Sequence, residues 1–291
     1  MSLKTNILKL ISLISPRWNT RISYRFQQGK RLNLRNPQTL SEKVLWLKLN
    51  TYFNNPLISQ CVDKYAVREY VEKQGCGEIL NKLLGVWTNP DDIDFEKLPD
   101  KFVLKCTYFY HMNLVVTDKS KLDISEARKT MHKWLRSNDH LIRSEMQYRN
   151  TPRRIIAEKF IETEDGLAPI DYKVDCCNGN PEYVMVCYER AQNQKTKFYY
   201  FDLEGNFMRE FTQDGINAPD DFHFVKPNGW EQMLQYAKKL SQPFPYVRTD
   251  FYIQEGKVIF GELTFTPAAG MSSCKLQKAE LILGNKVKLP K

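Results

Sequence analysis

Arg248, Asp250, Glu262 and Thr264 are the residues of this 291-residue chain whose types and spacing can do chemistry together. They lie in VRTDFYIQEGKVIFGELTFTPAAG, residues 247–270. Phe251 to Ile253 and Val258 to Phe260 are the β-branched and aromatic residues that strands favour, and Glu255-Gly256 between them is turn chemistry. The pattern predicts a hairpin folded about Gly256, with Asp250 and Glu262 equally far from the turn and facing each other. Two carboxylates directly across a ladder repel. A hard cation such as Mg²⁺ relieves that repulsion, because it takes oxygen ligands. Glu262 and Thr264 are two apart and share a face of their strand, as do Arg248 and Asp250. Two readings fit this spacing: a metal–phosphate site, and a solvent-facing hairpin whose polar residues alternate outward.

The elements that must position these groups can be followed along the chain. Asn36-Pro37 is expected to break the N-terminal helices, and Thr39-Leu-Ser-Glu42 is a capping box opening a helix through Leu49. A second helix is expected over Asp63 to Lys73, ending near Gly75. It would place Lys64 and Arg68 on one face, where like charges repel unless an anion or solvent screens them. Lys101 to Lys105 and Asn113 to Thr117 read as strands around a loop, Thr107 to His111, with Lys105 where strand meets loop. Ser125 to Asn138 is an amphipathic helix, and Arg153 to Ile161 a strand with Glu158-Lys159 near its end. Asp171 to Cys177, Glu182 to Tyr188 and Lys197 to Asp202 form an antiparallel set, with Asp171, Lys173 and Asp175 alternating onto one face. Trp230 to Ser241 is a helix before the final hairpin. This order of helices, strands and helix-backed antiparallel sheet is α+β.

Composition bounds the function. Apolar residues at 42% and aromatics at 12% mark a globular chain. Seven scattered cysteines with no CxxC suggest reduced core thiols in a cytoplasmic protein, not a disulfide framework. Four distant histidines without HxxxH or HExxH argue against zinc. No run reaches the ~18 apolar residues of a transmembrane helix. Lys9 interrupts the first apolar stretch and no small-residue cleavage site follows, so a signal peptide is not expected. The net charge of +9 is local: Lys4, Lys9, Arg17, Arg21, Arg25, Lys30, Arg31 and Arg35 precede the first acid, Glu42. Ile7, Leu8, Leu10, Ile11, Leu13 and Ile14 recur at helical spacing among them. That combination fits a helix lying on an anionic membrane surface, and equally a capping helix with solvated charges. Nucleic acid is not the expected partner, because the basic residues are not interleaved with a recognition motif.

NPQTLSEKVLWLKL (36–49), DKYAVREYV (63–71), IDFEKLPDKFVLKC (93–106), MNLVVTDKSKL (112–122), RIIAEKFIE (154–162), DYKVDCCNG (171–179) and YVRTDFYIQEGKVIFGELTFTPAAG (246–270) occur in an order that resembles the ATP-grasp enzymes, and among them the TupA-like branch. The resemblance runs from about Asn36 to the end of the chain. It implies the ATP-grasp fold, two lobes clasping ATP, behind a helical N-terminal extension. The corresponding division is a basic helical segment over residues 1–50, an N-terminal lobe with the small subdomain over 51–157, and the large subdomain over 158–291.

The resemblance also implies roles. Lys105 would reach the nucleotide phosphates. Glu158 and Lys159, with the backbone at Phe160 and Ile161, would hold adenine. Asp171 would take the ribose hydroxyls and Lys173 would face the phosphates. Arg248 would steady the reacting oxygens. Asp250 and Glu262 would hold Mg²⁺ on the β- and γ-phosphates, with Thr264 standing where many ATP-grasp enzymes have asparagine. The implied reaction joins a carboxylate to an amine at the expense of ATP. The implied partners are a carboxylate-bearing glycan or nucleotide sugar of surface-polysaccharide biosynthesis and a small amine, met in the cytoplasm or at the inner membrane face. A glycosyltransferase of the same pathway and a non-catalytic nucleotide- or glycan-binding protein are the rivals. One departure is prominent. Where the branch carries a loop resembling CNHGSGMN, this chain has Cys106-Thr-Tyr-Phe-Tyr-His-Met-Asn113, so Phe109 and His111 replace glycines that would let backbone close on phosphate. Such a loop can grip through hydroxyl and imidazole groups, serve another acceptor, or end turnover.

Overall fold

Two antiparallel sheets carry the chain in the computed structural model, which describes residues 3–163, 169–188 and 196–290. The chain opens with two helices, α1 (Leu3–Ile14) and α2 (Pro16–Gln28). Gly29 ends α2 with φ 68°, a left-handed cap that comes before the expected break at Asn36-Pro37. The capping box forms as predicted: the Thr39 hydroxyl accepts from the Glu42 amide, the Glu42 carboxylate accepts from the Thr39 amide, and α3 (Leu40–Leu49) follows. The helix expected over Asp63 to Lys73 is instead α4 (Pro56–Val62) and α5 (Val67–Lys73). Asp63 stands between them, and its carboxylate accepts from the amides of Tyr65 and Ala66, closing a turn that competes with helix. Lys64 therefore lies in a turn and not one helical turn from Arg68.

The smaller sheet contains β1 (Leu83–Trp87), β2 (Phe102–Cys106), β3 (Asn113–Val116) and β4 (Ile155–Lys159), in the order β1-β4-β2-β3, with α6 (Ile124–Leu135) packed on it. Strand periodicity sorts β2: Phe102, Leu104 and Cys106 enter the core with Ala127 and Met131, which sends Lys105 to the opposite face. The larger sheet contains β5 (Asp171–Cys177), β6 (Asn180–Tyr188), β7 (Lys197–Phe201), β8 (Tyr246–Gln254) and β9 (Lys257–Thr264), in the order β7-β6-β5-β8-β9. The short α7 (Gln213–Ile216) follows β7, and α8 (Trp230–Ser241) backs the sheet. Tyr172, Val174 and Cys176 pack toward Trp230, Met233 and Ala237, so Asp171, Lys173 and Asp175 leave by the other face.

Tyr52, Ile58, Cys61, Val67, Tyr70 and Val71 share one core with the larger sheet, and β4 of the smaller sheet continues to Lys159. The α+β architecture stands, with the smaller sheet facing a larger body built from the second sheet and α3 to α5. The cysteines are free thiols, all but Cys274 buried.

The last helix, α9 (Gln277–Lys286), locks the start of α3. Glu280 accepts from the Ser41 amide at 2.8 Å, and Gly284 packs so closely that a Cβ there would lie 2.2 Å from the Gln38 carbonyl oxygen. Alanine in a helix interior ordinarily gains about 1 kcal/mol over glycine. Here backbone blocks the added carbon, and overpacking costs roughly 1–3 kcal/mol. Gly284→Ala is expected to lower the urea midpoint of unfolding, where an exposed helical glycine would raise it.

Candidate functional site

The hairpin of β8 and β9 turns on Glu255-Gly256, with Gln254 opposite Lys257. A two-residue turn of that register, continued without a break, would set Asp250 opposite Gly261 and send the Glu262 side chain to the other face. The strand does not continue without a break. Phe251 pairs with Phe260, but Asp250 pairs with Glu262, so Gly261 is the extra residue of a β-bulge. The core records the slip: Val258 and Phe260 are buried on one side of it, Leu263 and Phe265 on the other, so the parity of buried positions changes at Gly261. Glycine is required, since a Cβ would lie 2.9 Å from the Asp250 carbonyl oxygen. The expected facing of Asp250 and Glu262 is present, and the bulge produces it.

Asp250 is only 2% exposed and is surrounded by cations. Arg248 donates to both of its oxygens, from Nε and Nη2, each at 2.7 Å. Lys173, directly across the ladder on β5, donates to Oδ2 at 2.6 Å and lies 3.3 Å from Asp171. Burial alone would raise the Asp250 carboxyl, but the charges of Arg248 and Lys173 hold it below the ordinary carboxylate range. Burial opposes the Arg248 charge and Asp250 outweighs it, so the guanidinium stays charged. Thr264 accepts from Arg248 and donates to Glu262, both at 3.3 Å. These contacts tie Arg248, Asp250, Thr264 and Glu262 into one network on one sheet face, where the solvent-facing reading would leave them separate.

Across from this face stands the smaller sheet, and between the two lies a cleft of about 200 Å³. Lys105 and Glu158 enter it from β2 and β4, paired at 2.6 Å, with Arg68 3.6 Å from Glu158. Asp171, Lys173, Asp250 and Glu262 enter from the larger sheet, and Lys64, Arg68 and Asn81 from the helical side. Leu80, Met112, Tyr252 and Phe260 supply apolar wall. The cleft therefore combines four cations and four carboxylates with apolar side chains. The donors on the larger sheet are carboxylate and hydroxyl oxygens, which suit a hard cation. Among the described residues no group of three or more His, Cys, Asp or Glu could hold a metal by itself. Mg²⁺ held by Asp250 and Glu262 would thus need ligand oxygens from whatever else occupies the cleft.

The remaining candidates are placed as follows. Lys159 is exposed, its amide donates to the Lys82 carbonyl, and its own carbonyl accepts from Asn81. Phe160 and Ile161 are half-buried beside it, and neither lines the cleft. The Glu158 side chain is engaged with Lys105 and Arg68. Tyr252, Phe260 and Asn81 were not anticipated; the alternation of β8 alone would have placed Tyr252 on the face of Asp250.

The loop after Lys105 keeps the backbone shape that its side chains argue against. Phe109 has φ 66° and His111 φ 58°, the left-handed conformation of glycine, at the two positions where glycines were expected. Each costs roughly 1–2 kcal/mol for an L-residue. Phe109 is held by burial, stacked on Tyr108 and edge-on to Tyr148, and its carbonyl accepts from the Lys64 ammonium. The Tyr108 hydroxyl in turn shares a hydrogen bond with His140 Nδ1 at 2.6 Å. Tyr110 and His111 are left to line the cleft.

A family profile described as TupA-like ATPgrasp matches residues 42–288. No curated protein sequence matches the chain. Among solved structures, it is similar to D-alanine–D-alanine ligase from Bacillus anthracis complexed with ATP, at 14% identity and TM-score 0.50, covering 79% of this chain and 66% of that one. It is also similar to L-amino acid ligase from Bacillus licheniformis, at 12% identity and TM-score 0.50, covering 85% of this chain and 55% of that one. These likenesses establish the fold. The chain spans less than two thirds of either ligase.

Two measurements test the loop. His111 is exposed, so His111→Gly should raise stability by about 1 kcal/mol as left-handed strain is relieved, read as a higher urea midpoint. Phe109→Gly should lower it, because the lost burial, about 3–5 kcal/mol, exceeds the same relief. Burial first, then the charges of Arg153 and Arg149, lower the His140 pKa from 6.5 to about 4. A folded value below the unfolded one adds stability that is complete above about pH 6.5 and is lost as pH falls through about 4. The stability advantage of wild type over His140→Asn should shrink by about 3 kcal/mol across that window in pH-dependent urea unfolding.

Proposed function

Because this chain belongs to the TupA-like ATP-grasp family, we propose that it is an ATP-dependent carboxylate–amine ligase working in the cleft between its sheets. The observation that carries this reading is the bulge-made network of Arg248, Asp250, Glu262 and Thr264, whose two carboxylates line the same cleft as Lys105. In the proposed reaction a substrate carboxylate oxygen attacks the γ-phosphorus of ATP and the bond to ADP breaks, giving an acyl phosphate. An amine nitrogen then attacks the acyl carbon, phosphate leaves, the nitrogen loses a proton, and an amide remains. Such phosphoryl transfer depends on positioning and charge neutralisation more than on side-chain acid–base work.

The residues divide that work. Lys105 and Lys173 neutralise phosphate oxygens from opposite walls. Lys105 is released toward the ligand when Glu158 keeps Arg68 as its partner. Arg248, pinned by Asp250, offers a fixed positive edge to the oxygens that gain charge in transfer. Asp171, 2% exposed at the first position of β5 and among the residues lining the cleft, suits a diol. Leu80, Met112, Tyr252 and Phe260 give a purine its apolar contacts. Asp250 and Glu262 would hold Mg²⁺, which supplies charge stabilisation on the phosphates. The substrate we propose is a uronic acid or similar carboxylate of a bacterial surface glycan, in keeping with the family, joined to a small amine.

Calorimetry discriminates this reading from its rivals. ATP with Mg²⁺ should bind, and Glu262→Gln should weaken the complex at least tenfold while leaving the unfolding midpoint within about 0.5 kcal/mol of wild type, as a half-buried site carboxylate without a core role would. Binding of a uridine sugar nucleotide in preference to ATP would move the assignment to a glycosyltransferase. Tight ATP binding with no ADP release in the presence of any carboxylate and amine would move it to a nucleotide-binding protein without turnover.

A further inference from the structure

α1 is inside out. Its buried positions are Leu8 and Ser12, and polar contacts hold it to the body. Ser12 shares a 2.7 Å hydrogen bond with Ser144, Lys9 pairs with Asp139 at 2.8 Å, and Asn19 of α2 donates to the carbonyls of Leu8 and Ile142. Most of the apolar residues face away. Leu3, Ile7, Leu10 and Ile14 follow one another at helical spacing and are exposed together with Leu13, Ile14 being 68% exposed. On α2, Trp18 and Phe26 are also exposed, at 61% and 74%. A helix that buries a serine and a single leucine while three leucines and two isoleucines stay outside is not completed by its own domain.

The charge around this face says what completes it. Residues 1–41 contain eight cations and no acid, and of these Lys4, Arg17, Arg21, Arg25, Lys30, Arg31 and Arg35 are exposed. A second copy of this chain would bring the same sign of charge to the same face, which repels. An anionic lipid surface offers both requirements at once: acyl chains for the aliphatic stripe and phosphates for the cations. Between α1 and α2 a cleft of about 140 Å³, lined by Lys4, Leu8, Ser23, Phe26, Gln27 and Arg143, has two cations and room for a headgroup phosphate. Among the described residues no helix is long and apolar enough to cross a membrane, so the contact is made along the surface.

We propose that α1 and α2 form a docking face for an anionic phospholipid bilayer, with the aliphatic stripe of α1 and with Trp18 and Phe26 seated at the headgroup boundary. The surface is distinct from the cleft between the sheets, and the proposal stands whether or not the ligase reading does.

Cosedimentation of the full chain with vesicles tests it. Vesicles of equal parts phosphatidylcholine and phosphatidylglycerol should retain the protein at least tenfold better than pure phosphatidylcholine. The triple variant Ile7→Ser, Leu10→Ser, Ile14→Ser and the double variant Arg17→Glu, Arg21→Glu should each reduce retention at least tenfold. All five positions are exposed, so an unchanged urea midpoint separates lost docking from lost folding. Brominated lipid should quench the wild type more than Trp18→Phe. Equal retention on neutral and anionic vesicles, no retention on either, or a dimer in sedimentation velocity that the triple variant abolishes would each overturn the proposal.

Discussion

A buried carboxylate clamped between two cations is the interaction on which the rest of this site depends. Asp250 lies in the larger sheet at 2% exposure, and an ion there is costly to desolvate unless it is matched. Arg248 on its own strand and Lys173 on the neighbouring strand match it from two directions. Arg248 is then held where it can reach Thr264, and Thr264 reaches Glu262. The link from Arg248 through Thr264 to Glu262 would not assemble without the extra residue in β9. Gly261 shifts the register by one, turns Glu262 toward Asp250, and accepts close backbone approach because it has no Cβ. A single glycine thereby decides whether the hairpin presents one carboxylate or two to the cleft.

The opposite wall shows the same economy of means. Lys105 reaches the cleft because the period of β2 puts its neighbours in the core. The loop that follows has lost two expected glycines but not the conformation they would adopt. Aromatic burial compensates at Phe109, and the ammonium of Lys64 ties the loop carbonyl to the turn after α4. The strain is stored next to the site, where strained backbone tends to collect, and what changes relative to a glycine loop is the side-chain lining: Tyr110 and His111 now stand in the cleft.

Much of this was legible from sequence, and the misses have physical causes. The strands carrying Lys105, Asp171 and Lys173 were readable because their apolar alternation is strong. The facing of Asp250 and Glu262 was anticipated by counting from Gly256, although the turn itself is centred half a residue earlier and the bulge restores the count. No pattern of side chains announces a bulge of that kind except an isolated glycine in a strand. The single helix expected over Asp63 to Lys73 failed because the Asp63 carboxylate bonds backbone amides just ahead, which periodicity does not weigh. The conformation of Phe109 and His111 was invisible, since neither residue type signals a positive φ; only the resemblance marked those positions.

The central proposal is that Asp250 and Glu262 would form half of a metal site whose other half is nucleotide. Electron paramagnetic resonance of Mn²⁺ added to the protein reads this directly. Mn²⁺ should remain essentially free with protein alone. It should become protein-bound when ATP is added, and in Asp250→Asn only the signal of the unbound Mn²⁺–ATP complex should remain. Mn²⁺ bound equally well without nucleotide, or left unbound by the protein in its presence, would contradict the account.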